Sequence, residues 1–144
     1  MQTAFTVRDA NWRDDQHALQ QVRQPVFVVE QHVDAREEFD DVDLVCQHVL
    51  AADANNIPIG TGRIDAQGKI GRMAVLAPWR NHGVGVAILQ RLIAIARARG
   101  DSRVYLHSQV SALGFYQRAH FVPYGERFYE AGIEHQAMTL NLSA

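Results

Sequence analysis

One short stretch constrains the fold more than any other part of this chain: Arg80-Asn81-His82-Gly83-Val84-Gly85. A strand-like run from Ile70 to Leu76, closed by Pro78, precedes it, and an amphipathic run with helical spacing from Val86 to Arg99 follows. The pattern predicts a strand, a glycine-bearing turn and a helix. Such a turn presents unpaired backbone N–H groups at a helix N-terminus, and these groups suit an anion, most often a phosphate.

The other strand-like runs predict a mixed, mainly antiparallel sheet. In chain order the predicted strands are Phe5–Val7, Leu44–Ala52, Ile57–Ile64, Ile70–Leu76, Arg103–Gln109, Phe121–Tyr129 and Glu134–Leu142, the last two forming a hairpin around Ala131-Gly132. Gly60 and Gly62 indicate a bulge or a close approach within the third strand. Because a strand follows the helix, the anion-binding turn should lie inside a βαβ crossover.

Three helices accompany these strands. They are predicted from a cap at Asp14 or Asp15 to about Gln24, from Val86 to Arg99, and from a cap at Ser111 through Ala112 to Ala119. Pro25 interrupts the first helix, and the apolar residues 26–29 fit either a kinked continuation or a buried extended segment. With 144 residues and no repeat or linker, the chain is expected to form one α+β domain.

Composition narrows the class of protein. The net charge of −2 and the absence of a basic surplus argue against a nucleic-acid partner. The single cysteine, Cys46, excludes a disulfide framework and a cysteine-rich zinc site, and we expect it to be a small core residue in a strand. Residues 1–4 lack the features of a secretion signal, and no apolar run is long enough to span a bilayer. A cytoplasmic protein without a membrane partner is therefore expected.

Three anion-binding motifs compete for the turn. A P-loop requires Gly-Lys followed by Ser or Thr, but the only lysine, Lys69, precedes the strand. A dinucleotide fingerprint requires a third glycine, which the segment 83–88 lacks. The third motif is Arg/Gln-x-x-Gly-x-Gly/Ala, and residues 80–85 match it.

This third motif is the pyrophosphate loop of the GNAT acetyltransferase superfamily, which the chain resembles over nearly its whole length. The other similar segments are Val26–Gln31, the acidic group Asp40/Asp41/Asp43, His48, Leu106–Gln109, Gly114–Tyr116 and Gly132–His135. They resemble a small bacterial branch whose acceptors are generally unknown. The resemblance implies a single GNAT domain over residues 1–144. It also implies an acetyl-CoA-dependent N-acetyltransferase in which a primary amine attacks the thioester directly in a ternary complex.

The resemblance also implies a binding site for acetyl-CoA as co-substrate. Backbone N–H groups of the loop would hold its pyrophosphate, and the strand before the loop would splay from its neighbour, pair with the pantetheine arm and stabilise the oxyanion. Gln109 stands where many relatives carry asparagine. The residues assigned to this site are Met73, Ala74, Val75, Arg80, Asn81, His82, Gly83, Val84, Gly85, Val86 and Gln109.

Tyr116 is the expected general acid, because a phenol beside the CoA sulfur can protonate the departing thiolate; otherwise it anchors a short helix. The general base is left open among Glu30, His48 and His107, with His135 and Glu134 as further candidates. Each histidine also fits a structural role. The histidines show no zinc-binding spacing, so no metal is assigned.

The run from Asp34 to Asp43 is the one strong charge run in the chain. It fits either a solvated loop or an electronegative rim that attracts a cationic acceptor, such as a polyamine, an amino sugar or an amino-terminal peptide. Two other functions compete with acetyl transfer: a non-catalytic acyl-CoA-binding or regulatory domain, and a nucleotide-dependent enzyme. Exposed apolar surface on the last hairpin would be compatible with a homodimer.

Overall fold

The computed structural model describes residues 4–143, which form a single α+β domain around one mixed sheet. The strands are β1 (Phe5–Ala10), β2 (Gln47–Asp53), β3 (Pro58–Ile64), β4 (Lys69–Val75), β5 (Arg103–Gln109), β6 (Val122–Pro123), β7 (Phe128–Glu130) and β8 (Ile133–Asn141). They lie in the order β1-β2-β3-β4-β5-β8-β6, and β7 also pairs with β8. The pairing of β4 with β5 is parallel, and the other described pairings are antiparallel. The predicted fold class is confirmed.

Helices cover both faces of the sheet. They are α1 (Trp12–Arg23), which continues as a π-helix (Gln24–Glu30), α2 (Ala35–Glu38), α3 (Val84–Arg99) and α4 (Leu113–Gln117), with short 3-10 turns at Asp41–Leu44, Ala77–Trp79 and Val110–Ala112. Within residues 4–143 we find no helix with the length and apolarity needed to cross a bilayer.

The first helix begins earlier than the sequence predicts. Its N-cap is Asn11, whose side chain accepts a hydrogen bond from the backbone N–H of Asp14 at 2.9 Å. The carboxylate of Asp15 accepts in turn from the N–H of Asn11 at 3.0 Å. The predicted caps, Asp14 and Asp15, are therefore wrong. Both residues lie in the first turn of α1, where negative charge interacts favourably with the helix dipole.

Pro25 widens the helix without ending it. Since proline has no N–H, the i→i−4 ladder cannot continue unchanged, and the backbone forms a π-helix in which Gln31 N–H donates to the carbonyl of Val26 at 3.1 Å. Of the two alternatives for residues 26–29, the helical continuation is thus the observed one. The π-helix carries Glu30 to the edge of a cavity described below.

Two further boundaries differ from prediction. Ser111 caps no helix: it lies in a 3-10 turn, and α4 begins at Leu113 after Ala112, which makes no side-chain capping bond. Strand β2 begins at Gln47, because residues 41–44 form another 3-10 turn in which apolar side chains such as Leu44 are exposed. The apolar residues of this segment resemble a strand in the sequence pattern, but they do not belong to the sheet.

Two glycines allow α3 to lie close against β3. A Cβ at Gly60 would fall 2.7 Å from Cδ1 of Ile88, and one at Gly62 would fall 2.8 Å from Cδ1 of Leu92. The close approach predicted from these glycines is confirmed, and it buries Ile88 and Leu92 completely. The position of α3 over the sheet therefore depends on β3 having glycine, without a side chain, at these two positions.

Strands β4 and β5 separate after a short paired section. Their register comprises Lys69 opposite Tyr105 and Ile70 opposite Leu106. Beyond these pairs, residues 71–75 of β4 and residues 107–109 of β5 diverge, and we call the gap between them the wedge. The splay that the resemblance implies for β4 is present in the structure.

Candidate active site

A cavity of about 620 Å³ occupies the wedge and the space on both sides of it. Eight residues assigned to the site from the sequence line it: Glu30, Met73, Ala74, Val75, Arg80, His107, Gln109 and Tyr116. Of the anion-binding turn the cavity lining includes Arg80 but not residues 81–86, and it does not include His48. Sequence positions that are far apart in the chain are therefore brought together here.

The two faces of the sheet contribute different residues to the cavity. On the face covered by α3 and α4, which we call the α3 face, Leu106 and Tyr116 belong to the main apolar core. Side chains alternate along a strand, so Tyr105 and His107 point to the other side, which α1 and the π-helix cover and which we call the α1 face. Ala74 packs on this α1 face against Val22 and Val26.

The predicted anion-binding turn forms the start of α3. Gly83 adopts a left-handed conformation, with φ of 83°, and no described side chain caps the helix. The first backbone hydrogen bond runs from the N–H of Ala87 to the carbonyl of Gly83 at 3.0 Å. The N–H groups of Val84 to Val86 thus have no intrahelical acceptor, which is the arrangement that binds anions at helix N-termini.

The glycine at position 85 lets the turn pack closely against α4. A Cβ at this position would lie 3.3 Å from two ring atoms of Phe115, closer than an ordinary contact. Phe115 in turn meets Tyr116 edge to face, with ring centroids 5.0 Å apart. The anion-binding turn and the predicted general acid are therefore connected through one aromatic side chain.

Arg80 is held at the edge of the cavity by two partners. Its Nε donates to the carbonyl of Val75 and one Nη donates to Oε1 of Glu30, each at 2.9 Å. Both side chains of the ion pair are partly exposed. Arg80 therefore ties the end of β4 to the end of the π-helix, a role that the sequence pattern does not predict.

Tyr116 reaches the cavity from the apolar core. Its side chain is 8% exposed and its ring contacts Phe121 edge to face at 5.9 Å. Burial raises the pKa of its phenol, so the hydroxyl is protonated at neutral pH. The hydroxyl makes no hydrogen bond to any of the described residues. Its oxygen is accessible from the cavity, which Tyr116 lines. A protonated, unoccupied hydroxyl has the properties of a proton donor.

His48 lies elsewhere. It is 1% exposed, its Nε2 is 2.9 Å from the backbone carbonyl of Asp43, and its ring packs against Trp12 at 5.7 Å. Burial lowers the pKa of its imidazole, in spite of the nearby Asp43 carboxylate. This placement is that of a structural histidine in the core, and it argues against His48 as a base.

His107 and Gln109 both face the cavity from β5. Nδ1 of His107 lies 2.6 Å from Oε1 of Glu130, and its ring meets Phe128 edge to face at 4.9 Å. The amide of Gln109 donates to the side-chain oxygen of Gln31 at 2.8 Å. Another histidine of this region is His135, whose Nδ1 lies 2.6 Å from the backbone carbonyl oxygen of Ile133.

Part of the acidic run is neutralised by arginines inside the protein. Glu38 and Asp43 are 4% and 0% exposed, and both bind the buried guanidinium of Arg23. Asp43 also accepts from Arg63 at 2.7 Å, and Asp40 accepts from the same group at 2.8 Å. Neither a solvated loop nor an electronegative rim describes this internal network, whereas the remaining acids of the run are exposed as a solvated loop would be.

A third arginine attaches the same segment to β4. Arg72 lies in a bulge of β4 with a φ of +49°, and Thr61 donates to its carbonyl. Its side chain donates to the backbone carbonyls of Glu38 at 3.0 Å and Glu37 at 3.3 Å. We call Arg23, Arg63 and Arg72 the arginine cluster. It fixes the segment 37–43 as a wall of the cavity on the α1 face.

The charges of this network are strongly coupled to the fold. Burial alone would raise the pKa of Asp43, but hydrogen bonds from Arg23 and Arg63 outweigh it and hold that pKa below its ordinary value. Burial likewise opposes the charge of Arg63, whereas Asp40 and Asp43 raise its pKa overall. Because each charge depends on its partners, removing one member leaves the others buried without compensation.

Cys46 lies just before β2 and is buried, and burial raises the pKa of its thiol to about 11. It does not line the cavity, so its position agrees with the expected core role, although not with a place in the middle of a strand. Across residues 4–143, no group of His, Cys, Asp and Glu side chains has the arrangement of a metal site.

Sequence reasoning missed Glu130, Gln31 and the arginine cluster. Glu130 carried one available signal: it directly precedes the turn Ala131-Gly132, which was predicted to close the last hairpin. The hairpin register sets Glu130 opposite Ile133. The arginines carried no local signal, because their carboxylate partners lie 15 to 32 residues away in the chain.

Comparisons with known proteins agree with this geometry. The family described as "Acetyltransferase (GNAT) domain" matches residues 14–142. The chain is 38% identical over 135 residues to the uncharacterized protein YyaT of Bacillus subtilis, covering 90% of each chain. It is 37% identical over 121 residues to the uncharacterized N-acetyltransferase YjcF of the same organism, covering 81% of this chain and 86% of the relative.

Solved structures show the same architecture. Escherichia coli ElaA superposes with a TM-score of 0.83 at 27% identity, covering 94% of this chain and 99% of that chain. An acyl-CoA N-acyltransferase from Pseudomonas aeruginosa superposes with a TM-score of 0.82 at 28% identity, with the same coverage. The chain belongs to the GNAT acetyltransferase family and is an acyltransferase of the N-acetyltransferase type.

Proposed function

We propose that the protein transfers an acetyl group from acetyl-CoA to a primary amine by direct attack of the amine on the thioester. The observation that carries this proposal is the wedge, a cavity inside the sheet at the point where β4 leaves β5. An uncapped helix N-terminus lies at one end of β4, and a protonated phenol faces the cavity. One site thus offers an anion-binding group, a strand edge and a proton donor.

The residues present fit acyl-CoA. Its pyrophosphate suits the free N–H groups of Val84 to Val86 at the positive end of the helix dipole. Its pantetheine arm carries amides that suit the strand edge exposed where β4 lacks a partner, along Met73 to Val75. The solved relative from Pseudomonas aeruginosa is named as an acyl-CoA enzyme, which supports the same choice of donor.

Transfer requires two proton movements around one substitution at carbon. As the amine nitrogen attacks the thioester carbonyl, a C–N bond forms, the C–S bond breaks and the nitrogen must lose a proton. Tyr116 donates its phenolic proton to the departing thiolate, and a base on the other side of the wedge accepts the proton of the amine. Glu30 and His107 both line the cavity and compete for the role of base.

No covalent acetyl-enzyme is proposed. Cys46 does not line the cavity, and its raised pKa of about 11 keeps the thiol protonated at neutral pH. Transfer in a ternary complex therefore fits these residues better than a covalent route.

Binding is tested by thermal shift with acetyl-CoA, ATP and NAD. A ligand that binds only the folded chain raises its Tm, by the equivalent of about 2.7 kcal/mol at a hundredfold excess over Kd. We expect a shift with acetyl-CoA alone. A shift with ATP or NAD instead would indicate a nucleotide-dependent enzyme.

Turnover is tested by release of free CoA across a panel of primary amines. In Tyr116→Phe we expect kcat to fall by about a hundredfold or more, as for loss of a general acid, with the aromatic packing retained. Tyr129→Phe is the matched control, because Tyr129 is 72% exposed and lies outside the cavity lining. Tight binding of acetyl-CoA without acetylation of any amine would instead indicate a non-catalytic acyl-CoA-binding protein.

A further inference from the structure

We propose that His107 is the base that accepts the proton of the amine, and that Glu130 is the positioning residue that prepares it. This inference rests on the proposed function, because it assigns one of the two proton movements of that reaction. Glu130 comes from the β7–β8 hairpin, and no part of the predicted site included it. The pair would make the hairpin a part of the active site.

The location of His107 is the first argument. The last paired residues of β4 and β5 are Ile70 and Leu106, so His107 is the first residue of β5 inside the wedge. The side chain of His107 lies on the α1 face of the sheet, whereas Tyr116 belongs to the core on the α3 face. A proton donor and a proton acceptor therefore approach the wedge from opposite faces of the sheet, so separate groups are available for the two proton movements.

The hydrogen bond to Glu130 defines the tautomer of His107. An ionised carboxylate only accepts hydrogen bonds, so the 2.6 Å contact between Nδ1 and Oε1 requires the proton to be on Nδ1. In the neutral ring the lone pair is then on Nε2, which has no hydrogen-bond partner among residues 4–143. His107 lines the cavity, so this free acceptor is available to a bound amine.

The surroundings hold the ring in this orientation. Phe128 meets His107 edge to face at 4.9 Å and also stacks on His135 at 6.0 Å. Tyr105, on the same face of β5, packs at 6.3 Å. Of the titratable groups with a contact to His107, Glu130 is hydrogen-bonded to the ring and Tyr105 packs beside it.

The other candidates are less suited to accept a proton. Glu30 is engaged by the guanidinium of Arg80 at 2.9 Å, so one oxygen of its carboxylate already has a partner. His135 is bonded to a neutral backbone carbonyl, which offers no charge to balance an imidazolium. His107 alone among these three combines a free nitrogen with a carboxylate partner.

The proton balance follows from this geometry. Nε2 of His107 takes one proton from the attacking nitrogen, and the ring becomes an imidazolium. The carboxylate of Glu130 remains ionised and balances the new charge, while Tyr116 supplies the separate proton of the thiol product. His107 then returns its proton to solvent, which restores the tautomer.

A double-mutant cycle tests whether Glu130 acts through His107. We expect kcat to fall by about a hundredfold in His107→Gln and by about tenfold or more in Glu130→Gln, with KM for acetyl-CoA unchanged within about twofold. In the double variant we expect no loss beyond that of His107→Gln, because the two residues act as one unit. Losses that multiply in the double variant, or full activity in Glu130→Gln, would overturn the pairing.

Glu126→Gln is the matched control, since Glu126 is an exposed glutamate in the segment before β7 and lies outside the cavity lining. Its kcat should equal that of the wild type. Equal losses in both glutamate variants would attribute the effect to the charge of the hairpin and refute the specific pair.

A spectroscopic readout separates this inference from the proposed function. In the ¹⁵N spectrum of the histidine rings, His107 should carry its proton on Nδ1 in the wild type and lose this preference in Glu130→Gln. A wild-type ring protonated on Nε2 alone would contradict the pair, whether or not an acceptor has been found. If the wild type acetylates no amine, the proposed function fails, and the spectrum still decides the state of His107.

Discussion

The two sides of the wedge consist of different kinds of chemical group. On the α3 face the site consists of backbone N–H groups at the start of α3, the strand edge of residues 73–75 and apolar side chains around Tyr116. On the α1 face it consists of charged and polar side chains, above all the arginine cluster and the pair of His107 with Glu130. Backbone groups recognise features that many ligands share, whereas side chains distinguish between ligands.

Under the proposed function, in which the α3 face binds the acetyl donor and the α1 face the acceptor, this contrast explains why the donor side is easier to assign than the acceptor side. A pyrophosphate and a thioester require little more than N–H groups and one proton donor, and a six-residue segment supplies most of them. The acceptor side depends on contacts between segments that are distant in the chain. Its specificity is therefore a property of the folded protein, and four substitutions test the difference between the two sides.

The largest effect is expected from the α1 face. Arg23→Leu removes a guanidinium that is 1% exposed and leaves Glu38 and Asp43 buried without one of their partners. Breaking a buried ion pair on one side costs about 3–5 kcal/mol, and we expect a loss of this size in the free energy of unfolding, measured by urea denaturation. Asp43→Asn in the same chain should restore part of the loss.

The control for this substitution is Arg36→Leu. Arg36 also pairs with an aspartate, Asp34, but its side chain is 91% exposed. We expect no measurable change, because exposed ion pairs contribute little. If both variants lost the same free energy of unfolding, burial would not determine how much the ion pairs of the arginine cluster stabilise the fold.

A smaller effect is expected where α3 approaches the sheet. Gly62→Ala would place a Cβ 2.8 Å from Leu92 and 2.9 Å from Met73, so side chains must shift, at a cost of about 1–3 kcal/mol measured by the same unfolding experiment. Gly71→Ala is the matched control, since its nearest contact would be 3.9 Å away. A stable Gly62→Ala variant would mean that the position of α3 tolerates more than the packing indicates.

A charge introduced on the donor side should weaken the binding of acetyl-CoA without lowering the stability of the fold. Val86 is 53% exposed in the first turn of α3. Val86→Glu places a negative charge where the helix dipole favours it but where a phosphate would bind, so we expect acetyl-CoA to bind about five- to tenfold more weakly than to Val86→Gln. Calorimetric titration measures the difference. Equal affinities would locate the pyrophosphate elsewhere.

The smallest effect concerns pH and His48. Because burial lowers the pKa of this imidazole in the folded state, the unfolded chain binds the proton more tightly. The contribution to stability is therefore complete above the unfolded pKa of about 6.5 and is lost as the pH falls toward the folded pKa. His48→Gln should flatten this part of the curve of unfolding free energy against pH. An unchanged slope would assign the dependence to another group.

Local sequence patterns predicted the parts of the fold that depend on neighbouring residues. The turn before α3 and the strand Arg103–Gln109 follow directly from glycine spacing and apolar periodicity. The hairpin turn at Ala131-Gly132 is likewise present, with positive φ at both residues. In each case the chemistry that determines the conformation lies within a few residues.

The errors arose where distant partners decide the structure. The helix cap is a local exception: asparagine and aspartate cap helices about equally well, so the pattern does not distinguish Asn11 from Asp14 and Asp15. The acidic run looked solvated because its partners, the arginine cluster, come from α1, β3 and β4. The role of Glu130 is of the same kind, since only the β7–β8 hairpin brings it to His107.

The wedge also determines how molecules reach the reacting atoms. Since residues from both faces of the sheet line one continuous cavity, the coenzyme and the amine need not share an entrance. Each would arrive from its own side and meet the other only within the thickness of the sheet. Under the proposed function, an acetylated product would then leave without displacing CoA, and the two products would depart in either order.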